Sequence, residues 1–175
     1  TGEGIRFTDF EMNFTNKNKK KYNLFKNDFK INIKIDQTYL DQKNIINNLK
    51  GYLIYSDNEI YESKLESSFS NNKKIRFTIN TDNGVKITTL YTDIAKPFVD
   101  RYKFIKGFEE GNLDFYSTKK NNISNSILKI DNFKVQEVPI LAKLLTLASL
   151  QGIADLLTGE GIRFTDFEMK FSNQN

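Results

Sequence analysis

The sequence predicts a mostly β fold: a bent antiparallel sheet with one wet and one apolar face, carrying one short helix and one Leu-rich helix. Three observations predict it. Apolar and polar residues alternate with period two in segment after segment, the pattern of strands with one wet face. Clusters of Asn, Asp, Ser and Gly separate these segments. A slip of phase recurs within several strands, and a β-bulge there would bend the sheet. The same alternation fits an open groove and a β-sandwich closed on itself with packed helices equally well.

Taken in order, Ile5 and Phe7 followed by Phe10, Met12 and Phe14 read as a strand with a slip near Asp9. Lys17, Lys19, Lys20 and Lys21 lie in a polar stretch between strand patterns and suit a solvated turn. Phe29, Ile31, Ile33 and Ile35 then alternate cleanly with Lys30, Asn32, Lys34 and Asp36. Residues 49–55 and 60–69 are further strands, and Ile75, Phe77 and Ile79 alternate against Arg76, Thr78 and Asn80. Residues 85–91, 113–117 and 127–135 continue the series, the last with a slip between Ile130 and Phe133. Turn signals fall at 56–58, 70–72, 81–84 and 119–122, so the order reads as a meander.

Pro97 and Pro139 each stand near the start of a helical pattern, where a missing amide hydrogen costs least. Ile94, Phe98, Tyr102 and Ile105 make a short amphipathic helix. Residues 139–157 make an apolar one through Ile140, Leu141, Leu144, Leu145, Leu147, Leu150 and Ile153. A helix so apolar belongs in a core or on a lipidic surface. Gly159 and Gly161 then form a turn into a strand in which Ile162 and Phe164 are followed by Phe167, Met169 and Phe171. A bulge near Asp166 would bring all five to one face.

That last strand carries a repeat. TGEGIRFTDFEM occurs at 1–12 and again at 158–169, and residues 1–16 and 158–173 are nearly identical throughout. Asn13 against Lys170 and Thr15 against Ser172 mark a diverged tandem duplication. The 175 residues are therefore expected to be a single fragment of a longer, modular protein.

Chemistry is narrowed by what is missing. There is no Cys and no His, which removes thiolates, disulfides, most metal sites and the commonest proton-transfer side chain. Acid pairs such as Glu109 with Glu110 carry no catalytic spacing, and the Gly-x-Gly turns lack the remaining residues of nucleotide loops. The expectation is no enzyme, no cofactor and no metal. A formal charge of +4 raises nucleic acid as a partner, but Arg, the residue of bidentate base and phosphate recognition, occurs only at 6, 76, 101 and 163, so no nucleic-acid partner is expected.

Residues 130–171, IDNFKVQEVPILAKLLTLASLQGIADLLTGEGIRFTDFEMKF, resemble the C-terminal region of the AsmA-like superfamily of Gram-negative bacteria, the AsmA, TamB and YhdP type. The likeness lies in a strand, a proline opening a Leu-rich helix with an Ala-Ser-Leu-x-Gly segment, and Gly-x-Gly-Ile-Arg-Phe leading into a strand. Residues 79–117 are similar to that family's turn, short helix and Gly-x-Leu strand. The resemblance implies an elongated, bent sheet shaped as a half-pipe or groove, and with it an envelope protein in the periplasm, anchored in the inner membrane outside this chain, that carries phospholipid through an apolar β-groove for outer-membrane lipid homeostasis. Its partners would be phospholipid acyl chains and neighbouring β-modules, with membrane contact through other regions.

On this reading Phe29, Ile31, Ile33, Ile35, Ile75, Phe77 and Ile79 face the lipid, and Val85, Ile87, Leu113 and Phe115 continue the lining. Each buried methylene would gain ~0.8 kcal/mol. A structural or interaction β-module without lipid transport is the alternative function.

Overall fold

A computed structural model describes residues 27–102, 105–136 and 161–174. Eight strands form one sheet: β1 (Phe29–Tyr39), β2 (Ile45–Ser56), β3 (Glu59–Phe69), β4 (Lys74–Asp82), β5 (Val85–Thr92), β6 (Phe108–Lys120), β7 (Ile123–Val135) and β8 (Ile162–Gln174). Their order in the sheet is their order in the chain, and every neighbouring pair is antiparallel. The sheet does not close into a barrel: β1 and β8 are its two edges. No second sheet packs against it among the described residues, which build one open sheet and not a sandwich. The expected strand at 5–14 and the apolar helix at 139–157, with its seven named residues, lie outside the described residues.

Short turns set the registers. Asn83 (φ 48°) and Gly84 (φ 72°) form a two-residue hairpin between Asp82 and Val85, the left-handed pair that a type I′ turn demands. Asp57 (φ 52°) and Asn58 (φ 65°) do the same between Ser56 and Glu59. Asn121 (φ 54°) opens the tight connection from Lys120 to Ile123. Between β1 and β2 the Asp41 carboxylate accepts the Lys43 and Asn44 amides at 2.7 and 2.8 Å, closing a longer loop.

The phase slips are real features of the backbone. Pairing of β7 with β8 passes from Asp131–Asp166 to Phe133–Phe164, skipping Asn132, which takes φ 54°, and Thr165. Ile130 and Phe133 thereby point the same way, as do Phe164 and Phe167, and all four belong to one apolar cluster. Near the opposite edge, pairing of β1 with β2 passes from Ile35–Leu49 to Gln37–Asn47, skipping Asp36 and Asn48 (φ 54°). In β6 the irregular step is Glu110–Gly111, at φ 64° and 76°.

Helix α1 (Lys96–Tyr102) lies over one end of the apolar face, somewhat shorter than the 94–105 span of its apolar pattern. Pro97 stands in its first turn, and the Ala95 amide donates to the Gly111 carbonyl at 2.8 Å, tying the helix start to β6. Ala95 and Val99 pack with Phe108, Ile130, Phe133, Val135 and Ile162, while Phe98 also touches a second cluster of Leu40, Ile46, Phe69 and Ile75. Phe108, Ile130 and Phe133 are fully or nearly fully buried, each contributing roughly 1.5–3 kcal/mol of transfer free energy.

Candidate functional site

Residues directly opposite in an antiparallel pair share a face, so the registers assign every strand residue to one of two surfaces. One row crosses all eight strands: Ile33, Gly51, Leu65, Phe77, Leu90, Phe115, Leu128 and Met169. It contains no polar side chain. Seven interstrand steps of about 4.8 Å make this band about 34 Å long, more than twice the roughly 15 Å hydrocarbon depth of one bilayer leaflet. Gly51, its single residue without a side chain, has φ 144°, and a Cβ there would collide with the Lys64 carbonyl oxygen.

The rows on either side widen the band unevenly. Towards α1 stand Ile35, Leu49, Ile75, Leu113, Ile130 and Phe167. Away from α1 stand Ile31, Leu53, Ile79 and Phe171, with Ser63, Thr88, Ser117 and Ser126 between them. At the far end Lys86 pairs with Glu59 at 2.7 Å, so the apolar face finishes in a charged rim. Ile31 is 44% and Phe171 43% exposed, which leaves large apolar side chains open to the surroundings at both sheet edges.

The reverse face is polar. The row behind the band reads Lys34, Lys50, Glu66, Arg76, Tyr91, Asp114, Lys129 and Glu168. The Arg76 guanidinium stands 5.7 Å from the Tyr91 ring, the Lys30 ammonium 4.5 Å from the Tyr52 ring, and Lys129 pairs with Glu168 at 3.1 Å. The Tyr91 hydroxyl donates to Asp93 at 2.7 Å, which raises its pKa, and the Tyr52 hydroxyl is raised likewise by donating to Glu62. Near α1, Lys96 meets Glu109 at 2.9 Å and Asp100 at 3.4 Å; burial pulls its pKa down, but these carboxylates leave it raised. A shallow depression of about 220 Å³ on this face is lined by Lys50, Gly51, Tyr52, Lys64 and Glu66.

Nine of the residues expected to line one surface do share it: Phe29, Ile31, Ile33, Ile35, Ile75, Phe77, Ile79, Leu113 and Phe115. Val85 and Ile87 do not. They pair with Asp82 and Asn80 and lie on the charged face, while Lys86, Thr88 and Leu90 take the apolar side. In VKITTLYT the phase of Val85 and Ile87 is the more apolar one and Leu90 stands alone in the other, so the two-residue period by itself chooses wrongly. The Asn83-Gly84 hairpin carried the missing signal, because a two-residue turn pairs Asp82 with Val85 and hence Ile79 with Thr88. Leu65, Leu90, Leu128 and Met169 were not among the expected lining residues, since only the registers string them into the band.

Among the described residues no group of carboxylates could hold a metal ion, and no helix is long and apolar enough to cross a membrane. No protein-family model, curated protein or solved structure matches the chain.

Proposed function

We propose that this chain is a segment of a bacterial envelope protein that carries phospholipid between inner and outer membranes, holding the acyl chains against the apolar face of its sheet. The observation that carries this reading is the unbroken band from Ile33 to Met169, backed on the reverse face by a row in which every residue but Tyr91 is charged. Such a surface offers an acyl chain continuous contact across the strands, while the wet face keeps the sheet soluble. A dozen or so methylenes half-covered on this surface would gain roughly 5–10 kcal/mol before ordering costs. The likeness of residues 79–171 to AsmA-like proteins supports the same reading and supplies its location, the periplasm, with the anchor outside this chain.

Native mass spectrometry of the chain purified from bacteria tests it. Co-purifying phospholipid, depleted by Ile33→Asp on the band and retained by Lys34→Asp on the reverse face, is the expected result. Lipid-free protein, or equal loss from both variants, would sink the reading.

A further inference from the structure

The two sheet edges are complementary to each other. β1 and β8 are long and contain no proline, and among the described residues each bonds to one neighbouring strand, so residues 31–38 of β1 and 164–170 of β8 turn their outer backbone donors and acceptors to no other described strand. Each also carries one phase slip, between Ile35 and Thr38 in β1 and between Phe164 and Phe167 in β8. A single antiparallel register sets these slips opposite each other, with Phe167 facing Ile35 and Phe164 facing Thr38.

Three independent properties agree with that register. It places Met169 against Ile33, so the apolar band that leaves the sheet at β8 re-enters at its own first residue. It also matches the backbone. Each residue of an antiparallel ladder turns its N–H and C=O to one side only, and across the seven interfaces of this row Ile33 and Met169 end in the same hydrogen-bonding state on their outer sides. Finally it places Glu168 beside Lys34. Within the sheet Lys34 faces the like-charged Lys50, whereas Glu168 sits on Lys129 and Lys170 at 3.1 and 2.9 Å, so the charge row would continue through a carboxylate where it is short of one.

We infer that the outer edge of β8 docks on the outer edge of β1 of a second copy of this chain, in the register that pairs Glu168 with Lys34. The sheet then extends from unit to unit with its apolar face in phase. The sequence supports that occupant: TGEGIRFTDFEM, which supplies most of β8, also stands ahead of β1 in the chain, its copies starting 157 residues apart at Thr1 and Thr158, as in a tandem array whose units meet through this strand. The inference does not depend on lipid binding.

The absence of cysteine makes the test direct. Full-length Lys34→Cys and Glu168→Cys chains are mixed, oxidised, and read as disulfide-linked heterodimer on a non-reducing gel. Asn32→Cys with Lys170→Cys, paired in the same register, is a second combination should one variant fold poorly. Both mixtures are expected to give heterodimer, and Lys34→Cys with Arg163→Cys, displaced by roughly 16 Å along the strand, is expected to lose it. Heterodimer in all three mixtures, or in none, overturns the inference. So does an intrachain disulfide in a Lys34→Cys/Glu11→Cys chain without heterodimer, which would give the edge to the chain's own first copy of the repeat.

Discussion

The Phe133 ring stacks on Phe164 at 5.1 Å, directly beside the skipped pair Asn132 and Thr165. On its other side it stacks on Phe108 at 5.2 Å, and it is 2% exposed. The slip and the stack explain each other: without the extra residue Phe133 would point to the charged face, and the three-ring column that joins β6, β7 and β8 could not form.

Removing the centre of that column should be costly. Phe133→Ala is expected to destabilise the fold by about 3–5 kcal/mol, read as a drop in the urea midpoint at unchanged slope. A loss below about 1 kcal/mol would mean that the column contributes little.

Gly111 is held beside the same ring. Its φ is 76°, and an added Cβ would meet Phe133 Cβ at 2.9 Å and the Asp131 carbonyl oxygen at 3.1 Å. Gly111→Ala should therefore cost on the order of 3 kcal/mol, strain and overpacking together. Gly84→Ala, at φ 72° but with open space around it, should cost only about 1 kcal/mol. Equal losses in thermal unfolding would contradict this difference.

The Val85–Thr92 strand yields a prediction that the sequence pattern would reverse. Ile87 lies on the charged face, so Ile87→Thr should change stability by less than about 0.5 kcal/mol. Leu90 packs against both apolar clusters, so Leu90→Ala should cost about 2 kcal/mol. Chemical denaturation of the two variants checks the face assignment without reference to function.

Stability should be level across neutral pH and fall at both extremes. Glu110 is held below its usual range, first by the Arg163 hydrogen bond and then by Lys134; Glu168 by Lys170 and Lys129; Asp93 by the Lys74 amide and the Tyr91 hydroxyl. A depressed folded pKa gives stability that is present above the unfolded value, 4.5 for Glu and 3.8 for Asp, and lost as pH falls through the folded one. Lys96 and Lys129 are raised, as are Tyr52 and Tyr91, so their share is present below the unfolded values of 10.5 and 10.0 and lost as pH rises through the folded ones. With no His in the chain, a stability transition between pH 6 and 8 would contradict this assignment.

Much of the architecture was legible from one property, the two-residue period. The runs at Phe29–Ile35 and Ile75–Ile79 announce their faces because each charged or amide residue falls in one phase. The slips at Ile130–Phe133 and Phe164–Phe167 were legible because the apolar residues change phase together. What a single strand cannot show is which of its faces joins its neighbour's. Val85 and Ile87 failed for that reason, and the band through Leu65, Leu90, Leu128 and Met169 follows only from the seven registers taken together. Single-strand periodicity also left sandwich and open sheet equal, because pairing among strands, not alternation within them, separates the two.

The central claim is that lipid occupies one face of this sheet, and photo-crosslinking in living bacteria tests it most directly. A photoreactive amino acid is placed at Ile33 or Phe77 on the apolar band, and at Lys34, Arg76 or Ile87 on the charged face, followed by mass analysis of the adducts. Phospholipid adducts at Ile33 and Phe77, absent from Lys34, Arg76 and Ile87, are the predicted result. Protein adducts alone at Ile33 and Phe77, or lipid captured equally at Ile87, would contradict the account and leave a structural β-module in its place.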